Sequence, residues 1–379
     1  MKIAIVHDYF IQMGGAEKVA DQLHALFPTA DLVTTVDIHK KPGVVTSWMQ
    51  HLPITEKNHR ALFLLFPLAV ETLDLRAYDL IISSSSGYAK GVRTRPDAVH
   101  ICYCHTPMRW VWRYAEYAER ESFNPLVRAV LPALLAILKR WDIAASRRPD
   151  HYIANSNVVA DRIRRFYGRE STVIHPPIDT ERFAGSERQE DYYLILSRLA
   201  AYKRLDIAVE ACRRLGKKLV IIGDGPARRE LEALGGPTTQ FLGRQDDEAV
   251  ASYARRCRAL IFPGEEDFGM TPLEINSAGR PVIAFRGGGA EETVIEGKTG
   301  LFFDEQTPES VMDALARFEF ITWEHETLIE HSRKFGQEVF ASAFLKFVER
   351  SMAIRSKRAE HFRPGQMSLH SSDVPVGHS

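Results

Sequence analysis

The residues best suited to chemistry lie in the run Phe262-Pro263-Gly264-Glu265-Glu266-Asp267-Phe268-Gly269-Met270-Thr271-Pro272-Leu273-Glu274. Glu266 and Glu274 have seven residues between them. A helix is expected to start near Thr271, with Pro272 in its first turn. The unpaired N–H groups of such a start, backed by the helix dipole, attract an anion. Carboxylates on either side accept hydrogen bonds from hydroxyl groups. The stretch therefore suits a phosphate flanked by hydroxyl-rich groups, a description that a sugar nucleotide meets. The same residues also read as an ordinary strand–loop–helix unit with a solvated acidic turn at 265–267.

Further candidates sit at the ends of apolar runs. His105 follows the run Val99 to Cys104 and precedes Thr106-Pro107-Met108-Arg109; Ser83-Ser84-Ser85-Ser86-Gly87 ends a run that starts at Tyr78 and reads as a plain loop or as hydroxyl and phosphate contacts. Gly14-Gly15 lies between a first strand, Lys2 to His7, and a first helix from Ala16 to Leu26. A glycine pair there lets backbone approach a ligand, although a tight turn explains it equally. Arg198 and Lys203 follow Tyr192 to Ser197, Gly223-Asp224-Gly225-Pro226 follows Lys218 to Ile222, and Gly243-Arg244 follows Gln240 to Leu242.

Positioning these groups requires parallel sheets. Apolar runs at Lys2–His7, Asp31–Val36, Tyr78–Ser83, Val99–Cys104, Asp150–Asn155 and Ser171–Ile174 alternate with helical patterns, which include Arg60–Leu75, Asn124–Ala145 and Ser156–Tyr167. A second set follows at 192–197, 218–222, 240–242, 259–262 and 281–285. Strand–helix alternation predicts α/β units with right-handed crossovers, which gather the loops at one edge of each sheet. His175-Pro176-Pro177-Ile178-Asp179 reads as a stiff link between the two sets. Helices over Pro308–Phe320 and Glu324–Ile354 are expected to close the ordered chain, ahead of a polar, disordered tail.

The length, 379 residues, allows two full cores. With 49 basic and 49 acidic residues the net charge is zero, which points to no nucleic-acid partner. The four cysteines lack metal-site spacing and are expected as reduced core thiols. Met1-Lys2-Ile3 opens directly into a strand, and no apolar run approaches a membrane span, so a cytoplasmic location is expected. The basic amphipathic stretch 124–148 and the apolar stretch 60–75 read either as packed helices or as a surface that meets anionic lipid. Neither half carries a G-x-G-x-x-G fingerprint, which disfavours an NAD enzyme.

Taken in order, these motifs resemble the retaining glycosyltransferases of family 4 over residues 1 to 355. The resemblance implies a GT-B architecture, two Rossmann-like domains facing across a cleft. Residues 1–177 would bind the acceptor and 178–340 the nucleotide sugar, 341–357 would return to the first domain, and 358–379 would form the tail. It implies catalytic roles for His105, Arg198, Lys203 and Glu266. Arg198 and Lys203 would hold the diphosphate, and Glu266 the sugar hydroxyls. The donor site would include Gly14, Gly15, Gly223, Gly225, Gly243, Arg244, Phe268, Gly269, Met270, Thr271 and Glu274, the last on the ribose. No Asp-x-Asp pair occurs, so no metal or other cofactor is expected. His105–Arg109 and Ser83–Ser85 are similar to segments of bacterial mannosyltransferases of O-antigen and exopolysaccharide synthesis. That implies GDP-mannose as donor and a polyprenyl-diphosphate-linked saccharide as acceptor, at the inner face of the membrane. A UDP-sugar enzyme of the same fold, a non-catalytic sugar-nucleotide-binding relative, and an inverting transferase or epimerase are the alternatives.

Overall fold

The computed structural model describes residues 1–12, 14–56, 58–114, 125–185 and 187–361; the side chains of 125–128 and 356–361 are not among those described. Two parallel sheets organise the described residues. The first contains β1 (Ile3–His7), β2 (Asp31–Thr34), β3 (Val45–Thr46), β4 (Leu80–Ser85), β5 (Val99–Cys104), β6 (His151–Ala154) and β7 (Thr172–Val173), in the order β3-β2-β1-β4-β5-β6-β7. The second contains β8 (Tyr193–Leu196), β9 (Leu219–Ile222), β10 (Thr239–Gly243), β11 (Leu260–Phe262), β12 (Val282–Phe285) and β13 (Gly300–Phe303), in the order β10-β9-β8-β11-β12-β13. Helices cover the faces, so the central strands are buried on both sides; they are mainly apolar, with β4 ending in three buried serines. These are the two Rossmann-like domains of the GT-B fold.

Each strand order reverses once, between β1 and β4 in the first sheet and between β8 and β11 in the second. At such a reversal the two crossover connections leave in opposite directions. A crevice opens beyond the carboxyl ends of the two strands, and ligands of open α/β sheets bind there.

Several elements depart from expectation. β3 and β13 are edge strands that the sequence pattern does not predict. Ser83 to Ser85 belong to β4, which runs two residues further than expected, and all three are buried. The 60–75 stretch is broken into a 3-10 turn (His59–Leu62) and a short helix (Phe66–Glu71). Phe66, Ala69, Val70, Leu73 and Leu75 from it lie in the core. In the 124–148 stretch, the helix Pro125–Ala145 carries Pro132 in its interior, and Asn124 falls outside the described residues. Of the tail expected from Arg358, residues 362–379 fall outside the described residues, and 358–361 continue the last helix. No helix among the described residues is long and apolar enough to cross a membrane.

The expected helix Glu324–Ile354 is two helices, His325–Arg333 and Gln337–His361. The break has a structural partner. Ile178 donates its N–H to the carbonyl of Phe335 at 2.9 Å, and Ile178 forms a β-bridge with Gly336. The chain thus crosses between the domains twice, side by side. Phe335 and Met270 pack there against a small core of Ile178, Phe268 and Leu273. Beyond this crossing, Phe340, Phe344 and Val348 pack under the first sheet against Ile3, Ile5 and Tyr103.

Candidate active site

The two crevices supply different chemistry. At the end of β1, Asp8 is buried and its carboxylate accepts the backbone N–H groups of Ser86 (2.6 Å), Tyr88 (2.8 Å) and Ala89 (2.6 Å). This ties the loop after β4 to the end of β1. The glycine loop follows. Glu17, one turn into the helix Gly15–Leu26, accepts the N–H groups of Ile11 (2.9 Å), Gln12 (2.8 Å) and Gly14, and holds the loop against the crevice. Gly15 lies opposite the Met270 sulfur, and Gln12 Oε1 accepts a hydrogen bond from Arg198 across the cleft at 2.7 Å.

His105 stands at the end of β5 and is 7% exposed. Its Nε2 meets the Ser84 hydroxyl at 2.8 Å, and that hydroxyl also lies 3.1 Å from His7 Nδ1. Burial pulls the imidazole of His105 down to about 3, with the neighbouring His7 adding to the effect and the Asp8 and Asp267 carboxylates opposing it. His7 is lowered to about 3, also by burial. The pair is therefore neutral at physiological pH. Ser83 and His100 form a similar buried pair at 2.8 Å. The serine run is a polar network inside the sheet and not a loose loop.

The second crevice carries charge. Arg198 and Lys203 follow β8, and Glu266 follows β11, so both sides of the β8/β11 reversal contribute. Lys203 Nζ is in direct contact with Glu266 Oε1. Burial pulls the Lys203 ammonium down to about 7, and the nearby Arg109 and Arg198 add repulsion, while Asp267 counteracts them. Gly223 and Gly225 approach the carbonyls of Ser197 and Leu199 too closely for any side chain, and Gly223 adopts a φ of 134°. Their visible role is to let the loop after β9 pack on the turn that carries Arg198; Leu199 N–H donates to Asp224 O at 3.1 Å.

The helix on this side is Met270–Ser277, one residue earlier than expected, with Gly269 at its N-cap at φ 89°. No side chain caps it, and Pro272 has no N–H, so Met270 and Thr271 are the donors of the first turn. Phe268 is buried and belongs to the core at the double crossing. Glu274 is 8% exposed, and burial raises its carboxyl above the usual carboxylate range. Gly243 accepts the Gly223 N–H at 2.8 Å. Arg244 lies on the exposed rim and pairs with Glu56 of the other domain at 2.9 Å.

The acidic turn at 265–267 is not solvated. Glu265 and Asp267 pair with Arg109, Arg113 and Arg162 of the first domain. A second cross-domain contact lies nearer the crossing, where Glu292 accepts from the backbone N–H (2.8 Å) and the side chain (2.8 Å) of Asn157, with His175 Nε2 at 3.0 Å. Gln12, Asp8, Glu17 and the cross-domain residues Arg113, Asn157, Arg162 and Glu292 were not singled out from sequence. Their signal is their partners, which only the fold brings near.

Residues 13–182 match the family model described as Glycosyltransferase Family 4, and residues 177–335 match Glycosyl transferases group 1. Together the matches span nearly the whole described chain and support a family 4 glycosyltransferase. The chain is 27% identical over 237 residues to the D-rhamnosyltransferase WbpZ of Pseudomonas aeruginosa, covering 58% of this chain and 60% of that protein. It is 36% identical over 173 residues to a GDP-mannose-dependent alpha-(1-6)-phosphatidylinositol monomannoside mannosyltransferase of Mycobacterium tuberculosis, covering 37% and 44%. The chain spans about half the length of the curated relatives it matches. Among solved structures, sucrose-phosphate synthase from Thermosynechococcus elongatus superposes with a TM-score of 0.71 at 17% identity, over 93% of this chain and 100% of that one. HepE of Anabaena, solved in complex with UDP, superposes with a TM-score of 0.68 at 16% identity, over 92% and 100%. At these identities the likeness is one of fold.

Proposed function

We propose that this chain is a retaining glycosyltransferase that moves a hexose, mannose from GDP-mannose, to a polyprenyl-diphosphate-linked saccharide in the synthesis of a cell-surface polysaccharide. The observation that carries the reading is the pair Arg198 and Lys203 beside Glu266, both at the strand-order reversal of the second sheet and facing the His105 crevice of the first.

Arg198 grips phosphate oxygens as a planar fork and Lys203 acts as a point charge; both stabilise the charge that develops on the departing diphosphate. Met270 and Thr271 N–H add to this from the helix start. The charge is supplied by the protein itself, and we propose transfer that requires no metal. Glu266 leaves Lys203 and takes the sugar hydroxyls when a donor phosphate enters. Glu274 receives the ribose. His105, neutral, meets the sugar as a hydrogen-bonding partner and not as a cation.

The transfer proceeds on one face. The bond between the anomeric carbon and the diphosphate oxygen breaks, and the acceptor hydroxyl oxygen bonds to the same carbon from the same side. Its proton passes to the leaving phosphate oxygen, so the nucleoside diphosphate departs protonated. Of the nearby carboxylates, Glu265 and Asp267 are engaged by arginines, and Asp8 lies under backbone donors, which disfavours each as a covalent nucleophile. A trapped glycosyl-enzyme adduct would defeat this scheme.

The mannosyl preference rests on the His105–Arg109 and Ser83–Ser85 segments and on the likeness to the GDP-mannose-dependent mannosyltransferase of Mycobacterium tuberculosis. The UDP in HepE favours a UDP-sugar donor as the second reading. For the lipid-linked acceptor, the helix Pro125–Ala145 presents Val130 and Ile137, about half exposed and two turns apart on one face, with exposed Arg140 flanking them. That face suits contact with an anionic membrane at the cytoplasmic surface. Titration with GDP, UDP and ADP in the presence of chelator tests the donor. Tightest binding of GDP is expected; tightest binding of UDP transfers the reading to a UDP-sugar, and no binding of any of them removes it.

A further inference from the structure

The acidic turn that carries Glu266 is held from both domains. Its main chain belongs to the second: Glu266 forms a β-bridge with Gly288, its carbonyl accepts the Gly289 N–H at 2.8 Å, and Pro263 O accepts from Gln306 at 3.0 Å. The side chains on either side of Glu266 reach the first domain. Glu265 receives both guanidinium nitrogens of Arg113, at 2.9 and 3.2 Å, and one from Arg162 at 3.1 Å. Asp267 is clasped by Arg109 on one oxygen and Arg162 on the other. Its carbonyl also accepts the Ser156 hydroxyl at 2.6 Å. Successive side chains of an extended turn point to opposite sides, so residues 265 and 267 face one domain while 266 faces Lys203.

These pairs are more than rim contacts. The side chains of Arg109, Arg162 and Asp267 are 15%, 13% and 15% exposed. Removing one partner would leave the other charge half-buried and unpaired, which is costly. The arginines also come from places that matter. Arg109 is four residues beyond His105, and its guanidinium lies 5.4 Å from the Tyr202 ring, next to Lys203. Arg162 lies on the helix Asn157–Tyr167, whose first turn is capped across the cleft by Glu292.

We propose that Arg109, Arg113 and Arg162 are positioning residues for Glu266: by gripping Glu265 and Asp267 across the cleft they set where Glu266 stands and make that placement conditional on domain closure. The inference rests on the transfer reading above for its chemistry, but the cross-domain grip is independent of it. The three arginines touch the carboxylates on either side of Glu266 and act on the donor through that turn. Their loss is therefore felt in turnover more than in nucleotide affinity, which resides in the second domain.

The test compares wild type, Arg162→Gln, Arg162→Lys and Asp267→Asn by three readouts: kcat and KM for the nucleotide sugar, nucleoside diphosphate affinity by titration, and radius of gyration by small-angle scattering. Arg162→Gln is expected to lower kcat at least ~10-fold while affinity changes less than ~3-fold. Arg162→Lys recovers part of the loss, because a charge remains without the fork. The radius of gyration increases in both Arg162→Gln and Asp267→Asn. A kcat within twofold of wild type overturns the proposal. So does a parallel loss of kcat and affinity with unmoved scattering, which would make Arg162 a donor ligand or plain fold support. If the wild type turns over no nucleotide sugar, the transfer reading fails while the scattering still decides the grip: an unchanged radius in both variants rejects it, and an increase in both sustains it.

Discussion

The two crevices that face each other are built on opposite principles. In the first sheet the groups at the strand ends are buried, internally hydrogen-bonded and neutral where they are histidines: His7, Ser84 and His105 share one network, and Asp8 spends its oxygens on backbone N–H groups. In the second, Arg198, Lys203 and Glu266 are charged groups paired with each other or with the opposite domain. A neutral shelf needs little reorganisation and suits a sugar. A charged pocket whose ions are mutually paired must exchange those partners for a ligand, and suits a diphosphate. Under the proposed transfer, recognition of shape and stabilisation of charge are divided between the domains, and closure joins them.

The sharpest way to break this division is to remove charge from the second crevice. Arg198→Ala and Lys203→Ala are each expected to lower kcat ~100-fold or more, the scale of losing a transition-state donor. Glu266→Ala should cost at least ~100-fold through misplacement of the sugar. Steady-state kinetics with the preferred nucleotide sugar measures all three. Near-normal turnover in any of them would show that the charged side is not where the work is done.

Protonation sharpens the comparison further. Lys203 is lowered to about 7, so in the free protein it loses its proton as pH rises through that value, whereas a bound diphosphate favours the charged form. Nucleoside diphosphate affinity should therefore fall as pH rises above about 7, by up to about tenfold per unit. Titration at pH 6.5 to 9, roughly spanning that value, reads it. His105, already neutral down to about 3, should leave no limb near 6.5 in the kcat profile. A limb there that vanishes in His105→Asn would show the shelf to be ionisable after all.

The fold on which the division depends can be weakened separately. Phe344 is fully buried beneath the first sheet, and Phe344→Ala is expected to cost about 3–5 kcal/mol in denaturant unfolding. The smallest effect is expected at Arg244. Its pair with Glu56 is exposed, and Arg244→Ala should change stability by no more than about 0.5 kcal/mol. A large loss of donor affinity in that variant would extend the charged pocket to the rim.

Much of this was legible in the residues. The alternation of apolar runs with amphipathic stretches predicts parallel sheets, and the polar residues at run ends predict which edge carries the site. Arg198, Lys203 and Glu266 lie at one strand-order reversal, although the order of strands itself cannot be read from the chain. What escaped is pairing across distance. Glu265 and Asp267 look like solvated acids because their arginine partners lie more than a hundred residues away. The serine run looks like a loop because serine favours turns, and only the buried histidines beside it make a strand of hydroxyls tolerable. Helix 324–354 looked continuous because nothing in its composition announces that Gly336 must bridge to Ile178.

That double crossing has a consequence for the birth of the molecule. The first sheet is finished only by Phe340, Phe344 and Val348, which reach it after the whole second domain has been traversed. A nascent chain that has emerged as far as Pro177 possesses every strand of its first sheet, yet one apolar flank lies open to water. The second domain, contiguous in sequence, can complete itself first. The first domain in sequence is thus the one whose core waits for the carboxyl end of the chain.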